Sequence, residues 1–152
     1  MEHLFFRCYS LENIPQFDTR SVTSMNWAFM YCSAIKSVPM FNTSALNRLY
    51  ETFSDCYNLS SIAAWDLSNL ENLGSTFDRC SALTYIPNFN FTKVNNAPYA
   101  FAGCWNVSGG ITRAYNQLRT TVGQYHDWAF HECGVSSRTG SAELAQIPTG
   151  WK

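Results

Sequence analysis

Six cysteines are the residues of this chain with the widest range of possible chemistry. They are Cys8, Cys32, Cys56, Cys80, Cys104 and Cys133. Six thiols could form disulfides or hold a metal ion. Zinc sites, however, draw cysteine ligands in close pairs such as C-x-x-C, and none occurs here. The first four intervals between the cysteines are equal and only the last is longer. Such regularity favours a third interpretation, in which free thiols pack into a core as small apolar groups.

One local cluster of candidate metal ligands lies near the C-terminus. It consists of His126, His131, Glu132 and Cys133. Its spacing matches no zinc-binding template. His131 and Glu132 also occupy positions that vary between the cysteine-spaced units, where Ser54 and Asp55 are counterparts. We therefore expect exposed side chains at these positions and a solvated surface, with no metal and no cofactor.

Four N-x-S/T sequons could accept N-linked glycans in a secreted eukaryotic protein. They begin at Asn42, Asn58, Asn90 and Asn106. Asn42 and Asn90 share one position of the 24-residue unit, and all four lie in stretches rich in Asn, Ser and Thr. We interpret them as turn residues that the repeat generates.

No residue pattern points to an enzyme. The sequence has no G-x-S-x-G nucleophile elbow, no phosphate-binding loop and no carboxylate pair with a neighbouring base. The net charge of −1 gives no field that would attract nucleic acid or an anionic membrane. The sequence therefore predicts a non-enzymatic protein without a nucleic-acid partner.

Two kinds of targeting segment are not seen in the sequence. No apolar run reaches the length of a transmembrane helix, so we expect no membrane insertion. Residues 1–7 include Glu2 and His3 and lack the apolar stretch of a signal peptide. We expect either that the chain does not use that route or that its leader lies outside this sequence.

The cysteines belong to a 24-residue repeat that covers most of the chain. A phenylalanine precedes each cysteine by three residues, and an aliphatic residue follows the first five cysteines by three. Further apolar columns recur at fixed spacing. A 24-residue period lies in the range of leucine-rich repeats. One unit buries too little apolar surface to offset the entropy of ordering its backbone, so its neighbours must cover it.

Each unit has room for one short strand and a tight return. The predicted strand follows the cysteine, as in LENIPQF and LTYIPNF. Proline stands at one place in three of the four units and cannot donate to a ladder, so pairing should stop there. Short polar residues open each return, at Asp18, Asn42, Asp66 and Asn90, where they can bond to backbone groups. The predicted fold is a leucine-rich-repeat-like solenoid with one short parallel strand plus a helical or 3₁₀ return per 24-residue coil.

The repeat pattern resembles a known family. The pattern F-x-x-C-x-x-L-x-x-I-P-x-F, followed by D/N-T/S-x-x-V/L-x-x-M/L, is similar to the BspA-type leucine-rich repeat over residues 3–107. That repeat occurs in bacterial surface proteins, some protist proteins and bacteriophage virion proteins. The closing segment AELAQIPTGWK is similar to the ends of phage-borne versions. The strand departs from many members, which carry Ile-x-Leu-Pro where this chain has Ile-Pro-x-Phe. The resemblance implies binding, adhesion or a structural role, and no enzymatic activity.

The two ends of the repeat array differ in pattern. Residues 1–107 carry the repeats, and residues 108–152 are expected to form a degenerate last coil and a C-terminal helical cap. Apolar residues from Ile111 to Val122 recur with helical spacing, and a last helical turn is expected from Ser141 to Ile147 with Ser141 as its cap. Residues 1–7 show no comparable cap. We expect a longer parent chain, a protein partner or a second copy to cover the N-terminal face.

The outward columns of the predicted strands are candidates for a binding surface. They vary between repeats while the core columns stay apolar. Met40 and Tyr85 are candidate anchors, because methionine and aromatic residues are favoured at interface centres. An ordinary solvated surface is the alternative. The candidate binding residues are Glu12, Asn13, Gln16, Lys36, Met40, Tyr85 and Asn88.

These patterns lead to two functional predictions. The first is a bacteriophage virion component, either a decoration or a tail-associated protein. It rests on the resemblance, the missing leader and the uncapped N-terminal face. The alternative is a bacterial surface adhesin module, extracellular or at the cell surface, that binds a host protein or glycan. A cell-surface receptor is then a candidate partner.

Overall fold

The computed structural model describes all residues from Met1 to Lys152. Its elements are β1 (Ser37–Val38), β2 (Ser61–Ile62), α1 (Ile111–Leu118), α2 (Arg138–Ala145) and a 3₁₀ turn (Thr149–Trp151). β1 and β2 pair in parallel, with Ser37 opposite Ser61. β1 ends immediately before Pro39, as expected of a residue without an amide proton. Turns and irregular segments make up the rest of the chain.

Each repeat lies against the next in chain order. We number the repeats 1 (1–23), 2 (24–47), 3 (48–71), 4 (72–95), 5 (96–124) and 6 (125–152). The longest run of hydrogen bonds between them lies in the segment before each cysteine. In repeat 2, the amides of Trp27, Phe29 and Tyr31 each donate to a carbonyl of repeat 3, at 2.9–3.0 Å. The amides of repeats 1, 3, 4 and 5 donate in the same alternation to the repeat that follows them.

These segments form consecutive turns where the sequence predicts helical or 3₁₀ structure. The amides that do not reach the next repeat bond locally: Ala28, Met30 and Cys32 each donate three residues back. Because only every second amide remains for a local bond, a continuous 3₁₀ helix cannot form. Two residues of each such segment take a positive φ, as Trp27 and Tyr31 do at 55° and 64°. Across the chain, 11 non-glycine residues do so.

The phenylalanine column forms the centre of the core. Phe29, Phe53, Phe77 and Phe101 are fully buried. Their rings stack on one another with centroids 5.3–5.8 Å apart. Phe5 and Phe130 continue the stack at its two ends, at 5.4 and 5.6 Å.

The cysteines form a second column beside the phenylalanines. Cys32, Cys56, Cys80, Cys104 and Cys133 are buried and free. Four of them donate from Sγ to the carbonyl of the phenylalanine in the preceding repeat, at 3.0–3.2 Å. The predicted thiol column in the core is thus confirmed for these residues. Cys8 is the exception: it is exposed, because no residue of this chain covers the outer face of repeat 1.

The Asp/Asn column closes a short turn in each of repeats 1 to 4, as the sequence predicts. The Oδ1 atoms of Asp18, Asn42, Asp66 and Asn90 each accept from the amide two residues on, at 3.0–3.2 Å. The other two sequon asparagines, Asn58 and Asn106, donate from Nδ2 to carbonyls of the preceding repeat at 2.8 Å. All four sequon side chains therefore make hydrogen bonds that belong to the repeat.

α1 and α2 pack together within repeats 5 and 6. α1 buries Ile111, Ala114 and Leu118, the face that its spacing predicts. Its N-terminal amides at Ile111 and Thr112 donate to Oε2 of Glu143 on α2, at 2.7 and 3.1 Å. A carboxylate at this end of a helix is favoured by the unpaired amides and the helix dipole.

α2 begins before the predicted position. Ser137, and not Ser141, is its N-cap, and the Ser137 hydroxyl accepts from the Gly140 amide at 2.8 Å. The prediction of Ser141 as cap is wrong because Ser141 lies inside the helix, where its amide already donates to the Ser137 carbonyl at 2.9 Å. The backbone of Ser137 is extended, the conformation that an N-cap residue adopts.

Trp151 covers the C-terminal end of the phenylalanine stack. Its carbonyl accepts from the Phe130 amide at 2.7 Å, and its ring lies 6.3 Å from that of Phe130. The indole also packs with His126 and Tyr115, at 4.0 and 5.3 Å between centroids. These contacts bury Trp151 to 7% exposure.

Candidate functional site

The predicted strand-face residues are all exposed or partly exposed. Gln16 donates from Nε2 to the Met40 carbonyl at 3.0 Å, which links repeats 1 and 2. The Arg113 guanidinium lies 5.4 Å above the Tyr85 ring and donates to its hydroxyl at 3.0 Å. Part of Tyr85 is therefore already in contact with α1.

The structure does not bring the two candidate anchors into one cavity. Tyr85 lines a depression beside α1 with Arg113 and Glu143. Asn88 lines a separate depression with Phe89 and Gln117, and Met40 lines neither. The remaining candidates border no cavity either; they are Glu12, Asn13, Gln16 and Lys36. Nothing in the strand face thus gathers these residues around a common ligand position.

A cleft of about 300 Å³ opens instead on the turn side of the array. Repeat 4 contributes Asp78 and Arg79 to it, and repeat 6 contributes His131 and Glu132. Four residues of repeat 5 complete the cleft: Tyr99, Ala102, Gly103 and Trp105. We call these eight residues the turn-side cleft.

The cleft exists because repeat 5 carries small residues where its neighbours carry large ones. Ala102 and Gly103 occupy the columns of Asp78–Arg79 in repeat 4 and His131–Glu132 in repeat 6. Gly103 has φ of 67°, and a Cβ atom there would lie 3.1 Å from Cγ of Arg79. A side chain at this position would be strained and crowded at once.

An ion pair with the buried carboxylate of Asp55 fixes the half-exposed Arg79 at the edge of the cleft. Asp55 is 1% exposed, and its carboxylate oxygens lie 2.6 and 2.7 Å from Nε and Nη2 of Arg79. The Tyr57 hydroxyl donates to the same carboxylate at 2.6 Å. The expectation that Ser54 and Asp55 are exposed is wrong, because these partners compensate the burial of the charge.

Two further carboxylates face the cleft. Burial raises the pKa of Asp78 to about 6, although Arg79, with Nη2 at 3.4 Å, opposes the shift. Glu132 accepts from Trp105 Nε1 at 3.2 Å through Oε2. Arg79 is neutralised by Asp55, so Asp78 and Glu132 give the cleft a surplus of negative charge.

Sequence reasoning missed the turn-side cleft. A signal was present, since Gly103 is the one glycine in a column that otherwise holds Arg, Tyr, Asp and Glu. Trp105 likewise falls in the column of Tyr9 and Tyr57, directly after the cysteine. The depth of a cleft depends on neighbouring repeats together, and no single unit reveals it.

The four candidate metal ligands point to different places. His126 stacks on Trp151, Cys133 is buried in the core, and His131 and Glu132 border the turn-side cleft. No group of three or more His, Cys, Asp or Glu side chains is arranged to hold a metal ion. No helix has both the length and the apolar character needed to cross a bilayer.

The outer face of repeat 1 is open to solvent. Leu4 and Phe6 are 51% and 37% exposed. The carbonyls of Glu2, Leu4 and Phe6 accept no hydrogen bond, although their counterparts in repeat 2 each accept one from repeat 1. We call this surface the N-terminal face.

Comparison with known proteins gives a family match and no named relative. A family model described as a Mycoplasma protein of unknown function, DUF285, matches residues 1–114, three quarters of the 152 residues. No curated protein and no solved structure matches the chain significantly.

Proposed function

We propose that this chain, which belongs to the DUF285 family, is a non-enzymatic structural and recognition module that packs against another protein. The proposal includes the fold class, a leucine-rich-repeat-like solenoid. The hydrogen bonds that recur at every junction between repeats and the continuous phenylalanine stack support that class.

The N-terminal face is the observation that carries the proposal. It combines exposed apolar side chains at Leu4 and Phe6 with three unpaired carbonyls in a row. An occupant that donates amide protons would complete the ladder that every other repeat junction makes. Strand-like addition of this kind is a common mode of protein recognition.

As its first setting, we propose a bacteriophage virion, in which the chain is a decoration or tail-associated protein. Two resemblances support this setting: the repeat pattern is similar to the BspA-type repeat, which occurs in virion proteins among others, and the closing segment is similar to the ends of phage-borne versions. An array whose repeat 1 presents unpaired carbonyls and exposed apolar side chains suits a particle in which a neighbouring subunit packs against that face.

The alternative is an adhesin module on a bacterial surface, which binds a host protein or glycan. The family description, which names Mycoplasma, favours this setting. Its recognition surface would be the strand face with Met40 and Tyr85, which are 58% and 48% exposed. Met40→Ala and Tyr85→Ala should then each weaken receptor binding; unchanged binding in both variants would remove the strand face from consideration.

Site-specific photo-crosslinking tests the N-terminal face. A photoreactive residue at position 4 should form a covalent adduct with a protein partner or a second copy in purified particles or intact cells. The matched control carries the same group at Tyr125, which is 58% exposed on repeat 6. Equal yields at the two positions, or no adduct at position 4, would contradict the proposal. The presence of the chain at fixed copy number in particles, against its presence on cells, separates the two settings.

A further inference from the structure

We infer that the turn-side cleft binds the ring of a neutral saccharide. This inference does not depend on the partner proposed for the N-terminal face, which lies at the other end of the array. It rests on the width of the cleft, on two unstacked aromatic rings and on the polar groups around them.

The width of the cleft matches a single sugar ring. Hydrogen-bonded neighbouring chains lie about 4.8 Å apart. Repeats 4 and 6 are separated by repeat 5, so their backbones stand roughly 10 Å apart on either side of Ala102 and Gly103. The result is a slot with a small-residue floor, long enough for one ring and too narrow for a helix, whose diameter is about 10–12 Å with side chains.

Two aromatic rings of repeat 5 border the slot. Tyr99 and Trp105 are 44% and 46% exposed, and neither ring stacks on another aromatic side chain. The faces of such rings carry partial negative charge, and the axial C–H bonds of a pyranose present partial positive charge to them. Exposed, unpartnered aromatic faces beside a cleft that combines apolar surface with a few polar groups therefore suit a sugar better than they suit water.

The polar groups of the cleft suit hydroxyl groups. Asp78 and the free Oε1 of Glu132 can accept from sugar hydroxyls, and Nη1 of Arg79, which has no protein partner, can donate. His131 adds ring nitrogens that have no hydrogen bond in the protein. These groups come from repeats 4 and 6 and line the same cleft as Tyr99 and Trp105.

The charges that line the cleft favour a neutral saccharide over an acidic one. Asp55 neutralises Arg79, so Asp78 and Glu132 would repel a uronic or sialic acid. An organic cation would be attracted by the carboxylates and the rings, but a quaternary ammonium group cannot accept a hydrogen bond from Nη1 of Arg79, whereas a sugar hydroxyl can. A neutral hexose or N-acetylhexosamine is the ligand that can use both the acceptors and the donor of the cleft.

Saturation-transfer NMR with the purified chain tests the inference. The probes are methyl α-D-mannopyranoside, methyl β-D-galactopyranoside and N-acetyl-D-glucosamine, with glucuronic acid and choline as charged comparisons. We expect at least one neutral probe to bind with a millimolar Kd, with the strongest transfer to ring C–H protons, and both charged probes to bind more weakly.

Matched variants locate the site. Trp105→Ala should weaken binding at least tenfold, and Glu132→Gln, which keeps the shape and an acceptor for Trp105, should weaken it several-fold. Tyr9→Ala is the control, because Tyr9 holds the same repeat column and is 56% exposed in repeat 1. Circular dichroism checks that each variant is folded, and Glu132→Gln decides the question if Trp105→Ala does not fold.

Three outcomes would overturn the inference. One is the failure of every neutral probe to bind at tens of millimolar. The second is binding of choline in preference to the sugars, which would make the cleft a cation site. The third is a neutral probe whose affinity is the same in wild type and in folded Trp105→Ala or Glu132→Gln, which would place the sugar elsewhere.

Discussion

At the scale of single residues, burial governs the chemistry of the thiols. Burial raises the pKa of Cys32 to about 11 and also raises the pKa values of Cys56, Cys80, Cys104 and Cys133. Because the thiolate is the reactive form, these five groups should be inert in the folded protein. Their role is to fill the core, where four of them also donate to phenylalanine carbonyls.

A thiol titration should therefore find one reactive cysteine. With Ellman's reagent at pH 8, we expect Cys8 to react within minutes and the other five to react only as the protein unfolds. Cys8→Ala should remove the fast phase and leave the slow phase unchanged. A second fast thiol in wild type would show that the core column opens more readily than its burial indicates.

Asp78 should make the folded protein more stable at low pH than at high pH. A carboxylate held in an ion pair usually has the opposite effect. Its pKa is raised to about 6 in the folded chain by burial, above its ordinary value of 3.8. The folded state thus binds this proton more tightly, so the stabilising contribution is complete below pH 3.8 and is lost as pH rises through 6. The side chain is partly open to solvent, so we expect an effect of about 1 kcal/mol.

Urea unfolding of wild type and Asp78→Asn measures this contribution. Asp78→Asn should gain stability relative to wild type at pH 7.5 and lose that advantage at pH 4, since asparagine does not titrate. Taking the difference between the two proteins cancels the other titrating groups. A difference that does not change with pH would mean that Asp78 ionises freely in the folded protein.

At the scale of elements, the sequence predicts the 24-residue repeat better than it predicts which segment of each repeat hydrogen-bonds to the next repeat. The strand after each cysteine is present in repeats 2 and 3 but only two residues long. The longer ladder lies in the turns before the cysteine. It was missed because its left-handed positions hold residues such as Trp27 and Tyr31, whereas glycine or asparagine is the usual signal.

The C-terminal cap offers a sharp test of element packing. Trp151→Ala should cost about 3 kcal/mol in the free energy of unfolding, because it exposes Phe130 and removes the contacts with His126 and Tyr115. Trp128→Ala, which truncates a 46% exposed indole in the same repeat, is the control and should cost less than about 1 kcal/mol. Similar losses in urea unfolding would contradict the capping role of Trp151.

At the scale of the whole molecule, the period of the sequence should permit the removal of one unit. Deleting residues 48–71 removes repeat 3 and joins Asn47 to Asn72 with every apolar column in register. We expect this chain to fold cooperatively with reduced stability, because repeat proteins are held by contacts between nearest neighbours. Deleting residues 48–67 instead breaks the register and should leave the chain unfolded.

Circular dichroism and urea unfolding distinguish the two deletions. Equal behaviour of both would mean that the stacking does not depend on the 24-residue register. The deletion of repeat 3 also removes Asp55 and Tyr57. Arg79 then loses the carboxylate of Asp55, but its side chain is half exposed, so the deletion leaves no unpaired charge in the core.

Of the two candidate binding surfaces, the sequence predicted the N-terminal face but not the turn-side cleft. The unpaired carbonyls of repeat 1 follow from the repeat pattern itself, because residues 2–6 fall at the positions whose counterparts in repeat 2 are paired. The turn-side cleft depends on a small pair, Ala102–Gly103, between the larger residues of repeats 4 and 6. That relation becomes visible only when the equivalent positions of three successive repeats are placed side by side.

The left-handed residues have a further consequence, for engineering. Eleven non-glycine side chains project from backbone positions that glycine would occupy with less strain. Several of them, among them Ser75, Tyr99 and Trp128, lie on the turn side of the array. Replacing those that bind nothing with glycine offers a route to a more stable scaffold. Randomising the exposed positions among the remainder, with the buried Asp55 kept, would give a combinatorial library on an unchanged core.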